Sequence, residues 1–292
     1  MKTRIIVAAV LLPLFFAALF FFPPYILAVV ISVIAAIGSY ELFKASNNVL
    51  APKDNIPAPM RPVVYTIIIA ALIPLAVYYS NLLLASAALM QAVSILTIFF
   101  ILLSLLVIDF LLNPKSVKRI RLRQLPVIFV AALIIPYMLS SLVGLRMLPS
   151  GHLLVLIPII VTIVTDSGAY FTGVAIGKRK AFPNISPNKT VEGYIGGTIA
   201  GVASLLIYGF ILDLATQHVI SYPVLILYGV IGSVLTGFGD LVFSWIKRKC
   251  GVKDYGNILP GHGGILDRFD GMIFSAPAMY LFVVILPAII QQ

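Results

Sequence analysis

The chain has 292 residues, of which 61% are hydrophobic and only 10% charged. A water-exposed shell needs far more charge, so a soluble domain is excluded. The formal net charge is +10, and a single cysteine, Cys250, rules out an intrachain disulfide.

In chain order the apolar runs are long and lack strand-like alternation, so they read as helices crossing a bilayer. About nine spans are expected, at 5–22, 25–43, 63–80, 91–112, 125–143, 152–175, 191–212, 221–245 and 269–290. The first follows Lys2 and Arg4 as a secretory signal would. It is longer than a signal's apolar core and ends in Phe-Phe-Pro-Pro, so it reads as a retained helix. The apolar stretch 82–112 exceeds one upright helix, and its first part is expected in the interface. The fold class is therefore an all-α polytopic integral membrane protein. It divides into N-terminal spans at 1–150 and a C-terminal region at 151–292 that carries the motif loops.

The basic residues fix an orientation. With Lys2 and Arg4 inside, the alternating loops put 19 of the 20 lysines and arginines on the inner side and leave only Arg146 outside. So one-sided a distribution is the topogenic signal of a multi-pass protein with its N-terminus in the cytoplasm and its C-terminus outside. Nucleic acid is thereby set aside as a partner. The positive charge serves topology, then a cytoplasmic surface for anionic headgroups and phosphates.

Carboxylates inside an apolar helix are costly and ask for a reason. Asp240 follows Thr236-Gly237-Phe238-Gly239, and Ser244, Lys247 and Arg248 continue its helix face. The plainer reading of that stripe is a hydrogen bond between Asp240 and Ser244. The next segment carries Lys253, Asp254, then Pro260-Gly261-His262-Gly263-Gly264, then Asp267-Arg268-Phe269-Asp270. Its glycines allow a backbone to approach phosphate closely. Asp267 and Asp270 lie three apart at a helix start, where a cation between them or a plain N-cap would account for the pair. Hard oxygen ligands beside phosphate suit Mg²⁺.

A second cluster begins at Asp166, with Thr162 and Tyr170 on its face, and continues through Gly177-Lys178-Arg179-Lys180 to Ser186-Pro187-Asn188-Lys189-Thr190-Val191-Glu192-Gly193. Ser, Asn, Lys and Thr ahead of a helix suit anion binding, or ordinary capping. Gly193, Gly197 and Gly201 form a ladder suited to close helix packing. His262 reads as a phosphate contact before a metal ligand, and Glu41 as half of a helix-end ion pair with Lys44.

These two motif stretches together resemble the signature of the phosphatidate cytidylyltransferases, also called CDP-diacylglycerol synthases. Ser39-Tyr40-Glu41-Leu42 is a weaker echo of the same family. The resemblance is strong over about 160–275. It implies a bacterial inner-membrane enzyme that joins CTP to phosphatidic acid, releases pyrophosphate, depends on Mg²⁺ with a second cation (K⁺ or Mg²⁺), and forms a homodimer. Asp240, Asp267 and Asp270 match the family's metal carboxylates. Asp166, Lys189, Lys247, Arg248, Asp267 and Arg268 are the expected catalytic residues. Ser186, Asn188, Lys189, Lys253, Gly261, His262, Gly263 and Gly264 are expected to hold the nucleotide. One departure stands out: family members carry Glu three residues after Asp240, where this chain has Phe243. The rival readings are a proton- or cation-coupled transporter, or another lipid-phosphate enzyme such as a polyprenol kinase.

Overall fold

A computed structural model describes residues 22–50, 60–83, 87–112, 124–258 and 263–291. It is dominated by long helices: α1 (Pro24–Leu50), α2 (Met60–Leu83), α3 (Ala87–Leu112), α4 (Leu125–Met147), α5 (Gly151–Ile176), α6 (Val191–Ala215), α7 (Tyr222–Lys249) and α8 (Leu266–Ile285). Among the described residues seven of these are long and apolar enough to cross a membrane, and α3 adds a shorter apolar stretch at Ala92–Ile108. This is a membrane protein built from helices. Of the expected span 5–22, residues 5–21 lie outside the described residues. The helices overrun the apolar runs at their ends: α1 continues to Leu50 and α7 to Lys249, well past the last apolar residue of each run.

Two short ribbons interrupt the helical pattern. Strands β1 (Lys180–Phe182) and β2 (Ser186–Thr190) pair antiparallel, with Lys180 opposite Thr190 and Phe182 opposite Ser186. Strands β3 (His218–Ile220) and β4 (Ile289–Gln291) pair antiparallel with Val219 opposite Ile290. Neither ribbon was expected from the sequence, because strands of three to five residues leave almost no periodic trace.

The chain forms two compact units. One holds Met1–Met147 with Lys247–Arg268, the other Leu148–Ile246 with Phe269–Gln292. In the first, Phe43, Ile69, Ile73, Leu102, Leu106, Ile128 and Ala132 bury a common apolar core contributed by α1 to α4. Helix α4 contains a π-turn at Val130–Ile134. There the hydroxyl of Ser39 donates to the carbonyl of Ala131, tying α1 to the irregular turn.

In the second unit α5 and α6 pack closely because small residues line the seam. A Cβ on Gly197 would stand 2.8 Å from the Thr165 carbonyl oxygen, and one on Gly168 would stand 2.5 Å from the Cβ of Ala200. This is the packing expected of the glycine ladder. Hydroxyls lock the same unit. Thr162 Oγ1 lies 2.8 Å from Ser275 Oγ and 3.2 Å from Thr236 Oγ1, and Thr165 Oγ1 lies 2.7 Å from Ser233 Oγ. All five residues are buried. Without water to satisfy them, such groups must pair with one another.

Candidate active site

In the second unit the hydroxyl lock sits one helical turn from the acidic residues. Thr162 precedes Asp166 by one turn on α5, and Thr236 precedes Asp240 by one turn on α7. On α8, Ser275 lies just over a turn beyond Asp270. Helices α7 and α8 touch at the level of the acids: a Cβ on Gly239 would be 2.5 Å from the Asp270 carbonyl oxygen, and one on Gly271 2.8 Å from Thr236 Cγ2. Asp240 and Asp270 thus come from abutting helix backbones. Asp270 is buried, and its Oδ1 accepts from the Gly271 N–H at 2.8 Å. Asp166 is exposed on α5.

The β1–β2 ribbon delivers a cation to this place. Lys189, the penultimate residue of β2, forms an ion pair with Asp240. Its ammonium also lies 5.6 Å from the centre of the Tyr194 ring. Ser244 donates to Asp240 Oδ1 at 3.2 Å, so the plainer reading of the Asp240 stripe holds as well. Thr190 caps α6 by accepting from Gly193 N–H at 3.1 Å. Glu192 accepts from the N–H groups of Lys178 and Arg179 at 3.1 and 3.2 Å, closing the loop ahead of the ribbon. Ser186 is half-buried and Asn188 exposed on β2.

The first unit holds the other motif. Asp267 opens α8 with a side chain only 3% exposed. Its Oδ1 accepts from Lys247 Nζ at 2.8 Å, and its Oδ2 from the N–H groups of Tyr255 at 2.8 Å and Gly264 at 3.0 Å. Lys247 also stands over the Tyr255 ring at 5.5 Å. The arrangement echoes Lys189 with Asp240 and Tyr194. Arg248, Lys253 and Arg268 are exposed. Gly263 adopts φ +85°, a backbone conformation that glycine takes without steric penalty. Gly261 and His262 lie outside the described residues.

Two findings correct or extend the sequence reading. Glu41 does more than the helix-end pairing expected of it with Lys44, whose ammonium also stands over the Tyr40 ring at 6.0 Å. Helix α1 runs on past it, Glu41 is 1% exposed, and its carboxylate accepts from the Ile265 and Leu266 N–H groups at 3.1 and 2.9 Å. The close approach that Gly264 permits is used by that carboxylate, since a Cβ there would stand 2.5 Å from Glu41 Oε2. Phe243, in place of the family's glutamate, is buried against Phe274, with ring centres 6.4 Å apart.

The donor set suits Mg²⁺. Asp240 and Asp270 offer hard oxygens from touching helices, and Mg²⁺ commonly takes one or two carboxylates plus phosphate oxygens and water. Among the described residues no group of three or more His, Cys, Asp or Glu side chains is gathered to hold a metal by protein ligands alone. A site completed by substrate oxygens and water does not require one.

A phosphatidate cytidylyltransferase of Bacillus subtilis is 52% identical over 119 residues, covering 41% of this chain and 43% of that protein. One from Thermotoga maritima is 41% identical over 131 residues, covering 44% and 48%. The Escherichia coli protein YnbB, whose name carries no activity, is 42% identical over 154 residues, covering 50% and 49%. The matched segments thus span less than half, or about half, of these relatives' lengths. The sequence model of the cytidylyltransferase family matches residues 2–286, and the chain belongs to that family.

Proposed function

We propose that the chain is a phosphatidate cytidylyltransferase, which makes CDP-diacylglycerol and pyrophosphate from CTP and phosphatidic acid at the cytoplasmic face of a bacterial inner membrane. The observation that carries this reading is the meeting of Lys189, from the β-ribbon, with Asp240, on a helix that abuts Asp270. Carboxylate and ammonium groups converge there at the ends of apolar helices, as transfer between a charged nucleotide and a lipid phosphate requires. Names borne by the relatives from Bacillus subtilis and Thermotoga maritima support the same chemistry.

In this reaction an oxygen of the phosphatidic acid phosphate attacks the α-phosphorus of CTP. A new phosphorus–oxygen bond forms as the bond to the bridging oxygen breaks, and pyrophosphate leaves with that electron pair. The lipid phosphate is already anionic, so positioning and charge compensation dominate over proton removal. Lys189 ends on a mobile four-carbon stem and can turn from carboxylate to phosphate oxygens, and Lys247 is proposed to add its charge to the same anions while it stays paired with Asp267. Arg248, Lys253 and Arg268 are exposed cations for the same anions. Ser186 and Asn188 on β2, with Gly261, His262, Gly263 and Gly264 in the other motif, are proposed to hold the nucleotide, and Asp166 to complete the acidic cluster. Mg²⁺ held by Asp240, Asp267 and Asp270 would supply neutralisation of the crowded phosphate charge. A second cation, K⁺ or Mg²⁺, a homodimer, nine spans with the N-terminus inside, and lateral lipid entry from the inner leaflet belong to the same proposal.

The test is to give purified protein CTP, phosphatidic acid and Mg²⁺ and to measure CDP-diacylglycerol and pyrophosphate. Both products are expected in equal amounts. CTP hydrolysis without lipid product would overturn the acceptor assignment.

A further inference from the structure

We infer that Glu41 is a positioning residue for the reaction: from within α1 it fixes the backbone at Gly264, Ile265 and Leu266, immediately ahead of Asp267. A buried carboxylate in an apolar helix is expensive unless its oxygens are fully used. Here each oxygen has its own donor, Oε1 the Ile265 N–H at 3.1 Å and Oε2 the Leu266 N–H at 2.9 Å. Two glycines approach the carboxylate closely. A Cβ at Gly256 would stand 2.3 Å from Glu41 Oε1, and one at Gly264 2.5 Å from Oε2. Leu266 also packs on the same helix, 3.5 Å from where a Cβ on Gly38 would be.

The consequence reaches Asp267 through the chain itself. Its Oδ2 takes the Gly264 N–H, so three successive N–H groups, at 264, 265 and 266, all point into carboxylates. Those peptide planes have no freedom left to rotate without stranding a buried donor. An apolar side chain at position 41 could fill the space, but it could not set these planes. Glu41 therefore governs where Asp267, Lys247 and the Gly263–Gly264 turn stand, without itself touching substrate.

The kinetic part of the test rests on the proposed activity; the structural part does not. Glu41→Gln keeps the shape but turns an NH₂ donor toward one backbone N–H. Its kcat is expected to fall about tenfold or more, as misplacement of reacting groups predicts. The KM for phosphatidic acid should stay near wild type, and the thermal midpoint in detergent should fall by only several degrees, the cost of one stranded buried donor. Glu41→Asp, which keeps both acceptors on a shorter stem, should recover part of the loss. Amide hydrogen exchange in Glu41→Gln should quicken in peptides covering 253–266 and not in those of α6. Wild-type kcat in Glu41→Gln would overturn the inference, as would exchange that quickens uniformly along the chain. Should the wild-type protein make no CDP-diacylglycerol, the proposed activity fails, and the exchange comparison still decides whether Glu41 anchors the segment.

Discussion

Lys247 Nζ stands 2.8 Å from Asp267 Oδ1, tying the last turn of α7 to the first turn of α8. Both side chains are nearly buried, at 11% and 3% exposure, so neither charge can fall back on water. Removing one partner should therefore cost about 3 kcal/mol or more, because the other is left buried and uncompensated. Lys247→Met is expected to lower the thermal midpoint in detergent markedly. The double variant Lys247→Met/Asp267→Asn should recover part of that loss, and a thermodynamic cycle measures the coupling.

Asp240 should matter to turnover more than to folding. It is about a quarter exposed and paired with Lys189, so Asp240→Asn leaves a tolerable polar contact in place. The variant should insert normally and lose turnover by about a hundredfold or more, the scale of losing one electrostatic group at a reacting centre. Ser244→Ala removes only the 3.2 Å hydrogen bond to Asp240. Its effect should stay below about fivefold, the worth of a single neutral donor. Steady-state assays on membranes with matched protein content compare the two.

The α5–α6 seam predicts a stability effect. At Gly197 a Cβ would meet the Thr165 carbonyl oxygen at 2.8 Å and the Ala169 Cβ at 2.9 Å. Gly197→Ala should destabilise by about 1–3 kcal/mol through overpacking. Ile195→Ala on the same helix, at an exposed position, should change the unfolding midpoint little. Thermal unfolding of the two purified variants gives the comparison.

Cys250 tests the end of α7. It is free and buried, and burial pushes its thiol pKa up, so less thiolate is present at any given pH. Alkylation at pH 8 should run more slowly than for an exposed cysteine and accelerate when the pH is raised or the protein unfolded. Rapid labelling of the native protein at neutral pH would show that this helix end opens readily.

Much of the helical architecture is legible in the sequence because hydrocarbon solvent demands long apolar runs. Eight expected runs coincide with helices α1 to α8. The motif residues were equally visible, since Asp240, Asp267 and Asp270 stand out on apolar helices. The missed partner is Glu41. Lys44 follows it at helix spacing, which suggested a solvent-side ion pair near a helix end. Yet α1 continues to Leu50, and the carboxylate finds its donors 224 and 225 residues away. The signal was available: an acid within an apolar span calls for a buried donor, and Gly256 and Gly264 are the residues small enough to admit one. The β-ribbons left no comparable trace. Lys189 reaches Asp240 only because Lys180–Phe182 and Ser186–Thr190 fold back on each other, a pairing too short for periodicity to show.

The most direct measurement is lipid-product formation by the purified wild-type protein and Asp240→Asn, supplied with CTP, phosphatidic acid and Mg²⁺. The account predicts equimolar CDP-diacylglycerol and pyrophosphate from the wild type and almost none from the folded variant. Undiminished synthesis by Asp240→Asn, or a folded wild type that leaves CTP and lipid unchanged, would contradict it.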